Sequence, residues 1–275
     1  YEINEGDWSS DVCSSDLITE KIMAKKVVLV TGAAIGIGRA VAFEMAKSDF
    51  RVIINYNTHK KEAEALCTEI VRSGGEATSI HADLSNMSQL RAMFDRIDAL
   101  GLTLDVLVNN AGVSESMPFL EVTEEHFDRI TAVDWRGVFF CAQLAARRMI
   151  AAGKKGVIVN ISSNHVEGCW PNSTVYAGAK SAVSKFTKNA AMELARKGIR
   201  VVAIEPGYTA VERLSTDEFA DAKAKLPLRR FADAKEIAHA VLYVVSDNAA
   251  YMTGNILRID GAATLPVVAE NDFVD

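Results

Sequence analysis

The sequence predicts an α/β fold built as one doubly wound parallel sheet with helices on both faces. Three observations carry that expectation. Short, fully apolar runs alternate with longer stretches of helical periodicity all the way from Val27 to Ile259. Runs such as Val27-Val-Leu-Val30 lack polar alternation, as strands covered on both faces should. No internal repeat and no Pro/Gly-rich linker interrupts the pattern, so a single domain over 23–263 is expected, with a tail at 264–275.

Each element has a local reason. The first strand, 27–30, runs into a glycine turn and then a helix over 39–47. Arg51-Val-Ile-Ile-Asn55 is the second strand, and the helix over 60–72 stops at Gly74-Gly75. A third strand, 77–80, leads to a helix over 88–100, and 105–108 is the fourth strand. Two helical stretches follow, 124–133 and 137–152. Strand five is 156–161, a long helix covers 175–196, and strand six is 200–204. A polar, helical excursion spans 211–225, then a helix over 235–245 and a last strand over 255–259.

Composition sets limits. The 275 residues are 49% hydrophobic and 24% charged, enough for one large core. No apolar run reaches the ~20 residues that cross a bilayer. The formal charge of -6 argues against a nucleic-acid surface. Much of it comes from residues 1–22, where six acids face only Lys21. That segment lacks the features of a signal peptide and is expected to be a disordered leader. It resembles a translated sequencing adapter, which makes Met23 the natural start; a peptide map of the native protein containing Trp8 would refute this. The four cysteines are scattered without metal or disulfide spacing, so the cytoplasm is the expected location.

Several motifs carry chemistry. Thr31-Gly32-Ala-Ala34-Ile35-Gly36-Ile37-Gly38 sits between a strand and a helix. Glycines there let the backbone approach a pyrophosphate at the helix N-terminus, although a plain glycine turn has the same letters. After strand two, Tyr56, Asn57, Thr58, His59 and Lys60 include no acid to hold a ribose 2′-hydroxyl, and His59 and Lys60 suit a 2′-phosphate. NADP is therefore preferred to NAD. Asp83, with Leu84 beside it, is placed to accept from an adenine amino group, or else to cap the next turn. Asn109-Asn110-Ala111-Gly112 follows strand four at the carboxyl edge, where ligands bind in open α/β sheets. Tyr176 and Lys180 are four residues apart, one turn along a helix, and Ser163 ends strand five. An ammonium near a phenol favours the phenolate, which makes tyrosine usable as an acid or base.

In this order, these motifs, with Pro206-Gly207 and Thr253-Gly254…Asp260-Gly261, resemble those of the short-chain dehydrogenase/reductase family over nearly all of 23–262. The resemblance implies a Rossmann-type sheet of about seven strands and NAD(P)-dependent oxidation or reduction at a hydroxyl or carbonyl carbon. It implies that Tyr176 is the acid/base, that Ser163 steadies the substrate oxygen, and that Lys180 lowers the tyrosine pKa and holds the nicotinamide ribose. It implies a homotetramer or homodimer built on the Ala-rich helices at 137–152 and 175–196.

Two departures stand out. The family usually has Asn-x-x-Gly before strand five, where this chain has Asp134-Trp-Arg-Gly137. A backbone carbonyl survives that change, so a tolerated substitution with little effect on rate is the plainer reading. The added carboxylate would otherwise perturb the lysine or pair with Arg136. Second, Val211 occupies the usual threonine position after Pro206-Gly207, leaving Thr209 as the candidate for the nicotinamide carboxamide.

The substrate wall is expected from 113–117, 164–170 and 208–228, with His165 and Glu167 for hydroxyls and Trp170 for stacking on a ring. Ser162-Ser-x-His165 and Trp170-Pro171 are similar to the glucose 1-dehydrogenase branch of the family. The 3-oxoacyl-carrier-protein-reductase branch is its rival, for which Lys223, Lys225, Arg229 and Arg230 would meet an acidic carrier. A non-catalytic cofactor-binding sensor or scaffold is the alternative to an enzyme.

Overall fold

The computed structural model describes residues 25–211 and 220–265. The expected leader and tail, and most of the polar excursion, lie outside the described residues apart from 264 and 265 at the tail and short stretches of the excursion.

The first strand, β1 (Val27–Val30), is buried at every position. Its alternate side chains enter different cores: Val28 and Val30 one, Val27 and Leu29 the other. This explains why the run shows no polar period, since both faces of the strand are covered. The same division recurs in β2 (Arg51–Tyr56), where Val52 and Ile54 oppose Ile53. It recurs again in β4 (Val106–Asn109) and β5 (Val157–Ile161).

With β3 (Glu76–His81), β6 (Arg200–Pro206) and β9 (Ile256–Ile259), these strands form one seven-stranded sheet. Its order is β3-β2-β1-β4-β5-β6-β9, and every pairing is parallel. One face packs against α1 (Gly36–Lys47), α2 (Lys60–Arg72) and α8 (Ala234–Val245). The other packs against α3 (Met87–Ala99), α5 (Val138–Ala151) and α6 (Thr174–Leu194). Because β1 lies between β2 and β4, the strand order reverses there, and a crevice opens outside the carboxyl ends of β1 and β4.

Several expectations are corrected. The first helix begins at Gly36, three residues before the expected start, because its first turn uses the glycine loop itself. The helices expected at 124–133 and 137–152 are continuous. The first is α4 (Glu124–Thr131), joined to α5 by a π-helical turn, Ala132–Gly137. That wider turn aims Asp134 inward, where its side chain is fully buried. Of the polar excursion, α7 (Ala220–Ala224) is described. Two short strands, β7 (Thr209–Ala210) and β8 (Ala232–Asp233), pair in parallel across its base.

Helix starts follow local chemistry. Asn86 accepts from the Ser88 and Gln89 N–H groups at the start of α3, and Thr123 accepts from His126 N–H at the start of α4. Asp233 and Glu236 form a capping box on α8. In contrast, α1 has no side-chain cap at Ile35. Among the described residues, no helix is long and apolar enough to cross a membrane.

Candidate active site

The cradle at the crevice is built from glycines and neutral hydrogen bonds. Gly32 (φ +60°) lies against Ala111, whose Cα would be 2.8 Å from an added Cβ. A Cβ at Gly38 would fall 2.4 Å from Gly32 O and 2.4 Å from Asn110 Nδ2. The loops after β1 and β4 are stitched together. Asn110 Nδ2 donates to Thr31 O at 3.0 Å and Gly32 O at 3.1 Å, while Thr31 Oγ1 accepts from Asn110 N and Ala111 N. Asn55 anchors the other side. Its Oδ1 accepts from Gly32 N at 3.2 Å, and its Nδ2 donates to Ala82 O at 3.1 Å. A helix N-terminus with no side-chain cap at Ile35, behind a loop without side chains at Gly36 and Gly38, suits a pyrophosphate, so the residues present fit a dinucleotide.

The other expected cofactor residues surround this cradle. Ala34 is buried and Ile35 and Ile37 are partly exposed. Tyr56 ends β2 with its ring tilted on His81 at 5.5 Å, and Asn57 is exposed beyond it. Asp83 Oδ1 accepts from Ser85 N and Oγ. The cap of α3 is Asn86, so Asp83 shapes the preceding turn rather than capping that helix. Leu84 packs its side chain into the core beneath α3 and α5. Pro206 ends β6, and a Cβ on Gly207 would meet Asp260 at 2.6 Å. Thr209 is buried and its hydroxyl donates to Gly207 O at 3.1 Å, which commits it to the backbone.

On the β5 side of the crevice the candidate catalytic residues converge. Ser163 Oγ lies 3.1 Å from His165 Nδ1 and accepts from His165 N. The His165 ring stands edge-on to Tyr176, centroids 5.2 Å apart. Lys180 Nζ lies 5.6 Å from the Tyr176 ring centre and donates to Ile161 O at 3.1 Å. Asp134 Oδ2 is 3.2 Å from the same ammonium, and Asp134 Oδ1 accepts from Val113 N at 2.7 Å.

Both members of this ion pair are buried. Burial pulls the Lys180 pKa down, but the Asp134 and Tyr176 charges outweigh it and the net shift is upward. Burial also pushes Asp134 upward, opposed by Lys180 and by the Val113 N–H. Burial lowers His165, which keeps its imidazole neutral. The carboxylate therefore contacts Lys180 and not Arg136, whose guanidinium donates to Ser85 O.

The expected substrate wall is rearranged. Trp170 does not offer both faces to a substrate: His165 stacks on one, with centroids 4.1 Å apart, and Trp170 Nε1 donates to Tyr208 Oη at 2.9 Å. Glu167 turns instead to Arg258, at 3.1 Å. The basic cluster is also partly spent, since Arg230 pairs with Glu236 and Lys223 lies over the Phe231 ring.

Two networks escaped the sequence reading. Arg258 joins Glu167 to the buried Glu205, which also accepts from Ser184. Asn109, Asn160 and Thr187 form a buried chain of hydrogen bonds between β4, β5 and α6. The available signal was a polar residue at the end of an apolar strand: Asn55, Asn109, Asn160 and Glu205 all fit it.

A dinucleotide cradle at the switch point of a parallel sheet, facing a serine, a tyrosine and a lysine, defines a nicotinamide-dependent oxidoreductase acting on carbonyl or alcohol carbons. The family model described as enoyl-(acyl carrier protein) reductase matches residues 32–264, and the chain belongs to the short-chain dehydrogenase/reductase family. It is 38% identical over 242 residues to an uncharacterized oxidoreductase of Methylorubrum extorquens, covering 86% of this chain and 96% of that protein. It is 34% identical over 239 residues to a 3-oxoacyl-(acyl-carrier-protein) reductase of Staphylococcus aureus, covering 86% and 97%. The structure of an acetoin dehydrogenase from Salmonella typhimurium superposes with a TM-score of 0.83 at 34% identity, covering 90% of this chain and 99% of that one.

Proposed function

We propose that Tyr176 exchanges the proton with the substrate oxygen, assisted by Ser163 and Lys180, in the interconversion of a small ketone and its secondary alcohol. One observation carries this reading: Ser163, Tyr176 and Lys180 meet on the β5 side of the crevice whose other wall is the glycine cradle. The nicotinamide, when bound, supplies or accepts the hydride. Tyr176 Oη gives its proton to the oxygen as negative charge develops there, and Ser163 Oγ donates a hydrogen bond to the same atom. Lys180 keeps a positive charge beside the phenol, and in this reading it also holds the nicotinamide ribose. Oxidation moves the same proton the other way.

The substrate class is a sugar, a short ketone or a 3-oxoacyl group, in keeping with the 3-oxoacyl and acetoin enzymes among the relatives. NADP is the preferred cofactor. No acid lies between Asn55 and Lys60, and the pairing of Lys60 with Glu64 at 3.6 Å is exposed and weak enough to yield to a phosphate. A homotetramer or homodimer in the cytoplasm, using the Ala-rich faces of α5 and α6, completes the reading.

The test is turnover of a panel of ketones, sugars and 3-oxoacyl thioesters with NADPH and NADH. Tyr176→Phe should lose about 10²–10⁴-fold in kcat while cofactor binding persists. An active Tyr176→Phe enzyme overturns the assignment, and a strong NADH preference overturns the cofactor choice.

A further inference from the structure

We propose that Asp134 is a positioning residue that compensates the Lys180 charge and so biases the site toward giving up a proton, that is, toward carbonyl reduction near neutral pH. The inference rests on the Tyr176 assignment above and adds to it a preferred direction. It begins with space. A Cβ on Gly112 would stand 2.8 Å from Asp134 Oδ2 and 3.3 Å from Lys180 Nζ, so the bare glycine leaves room for the two charges to meet. The π-helical turn swings Asp134 into that gap. Its Oδ1 is satisfied by Val113 N, but its buried Oδ2 has no hydrogen-bond partner, which leaves the nearby ammonium as its compensation.

The charge count then decides the direction. The π turn contributes the Asp134 carboxylate, and α6 contributes Lys180 and Tyr176. The end of β5 contributes the Ile161 carbonyl, and the loop after it the neutral His165. Glu205 on β6 reaches this group through Ser184 and Ser162, and Arg258 balances its charge. With the phenol protonated, Lys180 and Asp134 cancel. With the phenol ionised, one negative charge is left over on a half-buried side chain beside a buried, already balanced ion pair. An amide at position 134 would reverse this, because the lysine would then have only the phenolate to balance it. The carboxylate therefore takes up the positive charge that would otherwise favour an ionised phenol, and the pH profile of oxidation, which needs that form, is expected to lie further to the alkaline side than in a chain with an amide at 134.

The phenolate can be titrated by ultraviolet difference absorbance without substrate, subtracting a Tyr176→Phe partner in each background. Asp134→Asn should lower the midpoint by roughly one pH unit. The pH of half-maximal alcohol oxidation should fall with it. An unchanged midpoint in a folded Asp134→Asn or Asp134→Ser protein overturns the proposal, and so does a midpoint below neutral pH in the native chain. Because the titration needs no turnover, a native protein that reduces nothing in the panel defeats the catalytic reading and leaves the charge proposal open to refutation by its own measurement.

Discussion

The two walls of the crevice hold their shape by different means. Among the described residues, the cradle of 31–38, Asn55 and 109–111 itself contributes no buried charge. It is made of backbone, amide side chains, the Thr31 hydroxyl and the absence of side chains at Gly32 and Gly38. The wall between β5, β6 and α6 contains Lys180, Asp134 and Glu205, all buried, held by partners from elements far apart in sequence. The wall proposed to grip the cofactor relies on fit, which one methyl group can spoil. The wall proposed to move a proton relies on balance, which one charge can spoil.

Substitutions on each wall can test that contrast. The largest effect after loss of the tyrosine hydroxyl should come from Gly38→Ala. Its methyl would sit 2.4 Å from a backbone oxygen, so the loop must shift, at a cost of about 1–3 kcal/mol. Cofactor affinity measured by fluorescence should fall tenfold or more, and an unchanged Kd would remove the argument from fit. Next is Arg258→Leu, which strands the Glu205 carboxylate with only the Ser184 hydroxyl. Because Arg258 is 31% exposed, the loss in denaturant unfolding should be about 2 kcal/mol, below that of a fully buried pair. Glu205→Gln should cost less, since it leaves no buried charge behind and Arg258 keeps Glu167. Equal losses would break the contrast from the other side.

The smallest effect concerns pH. The native state keeps His165 neutral and below its ordinary 6.5, whereas the unfolded chain protonates it there. Its contribution is complete above 6.5 and is lost as pH falls toward the folded-state value. Thermal unfolding between those limits should show a shallower acid slope in His165→Gln than in the native chain.

The same contrast explains what could be read in advance. Strands such as Val27–Val30 announce themselves because both faces are apolar, and the glycine motif is local in sequence. Ser163, Tyr176 and Lys180 were also within reach, since one strand end and one helical turn define them. The Asp134–Lys180 contact was not, although both positions stood out. Their separation is closed by a π turn, and the apolar period of α4 and α5 runs through that turn without a mark. Arg258, Glu205 and Glu167 were invisible as a set because three separate elements bring them together only after the sheet order is known. Trp170 was expected in a substrate wall, but its stacking on His165 was not legible, since that contact depends on the loop conformation.

The two-residue ladder between Thr209–Ala210 and Ala232–Asp233 has a consequence for how such a chain can change. It holds Thr209–Ala210 side by side with Ala232–Asp233, so the two ends of the connection between them are fixed to each other. Closing a flexible loop twice as long costs only about 0.6 kcal/mol more. Among the described residues between the strands, Leu226 and Phe231 are buried and have to be kept, while exposed positions such as Lys225 and Leu228 can be exchanged with β6 and α8 in place. For laboratory evolution, that makes the exposed positions between the two short strands the ones to randomise and the ladder the boundary to preserve.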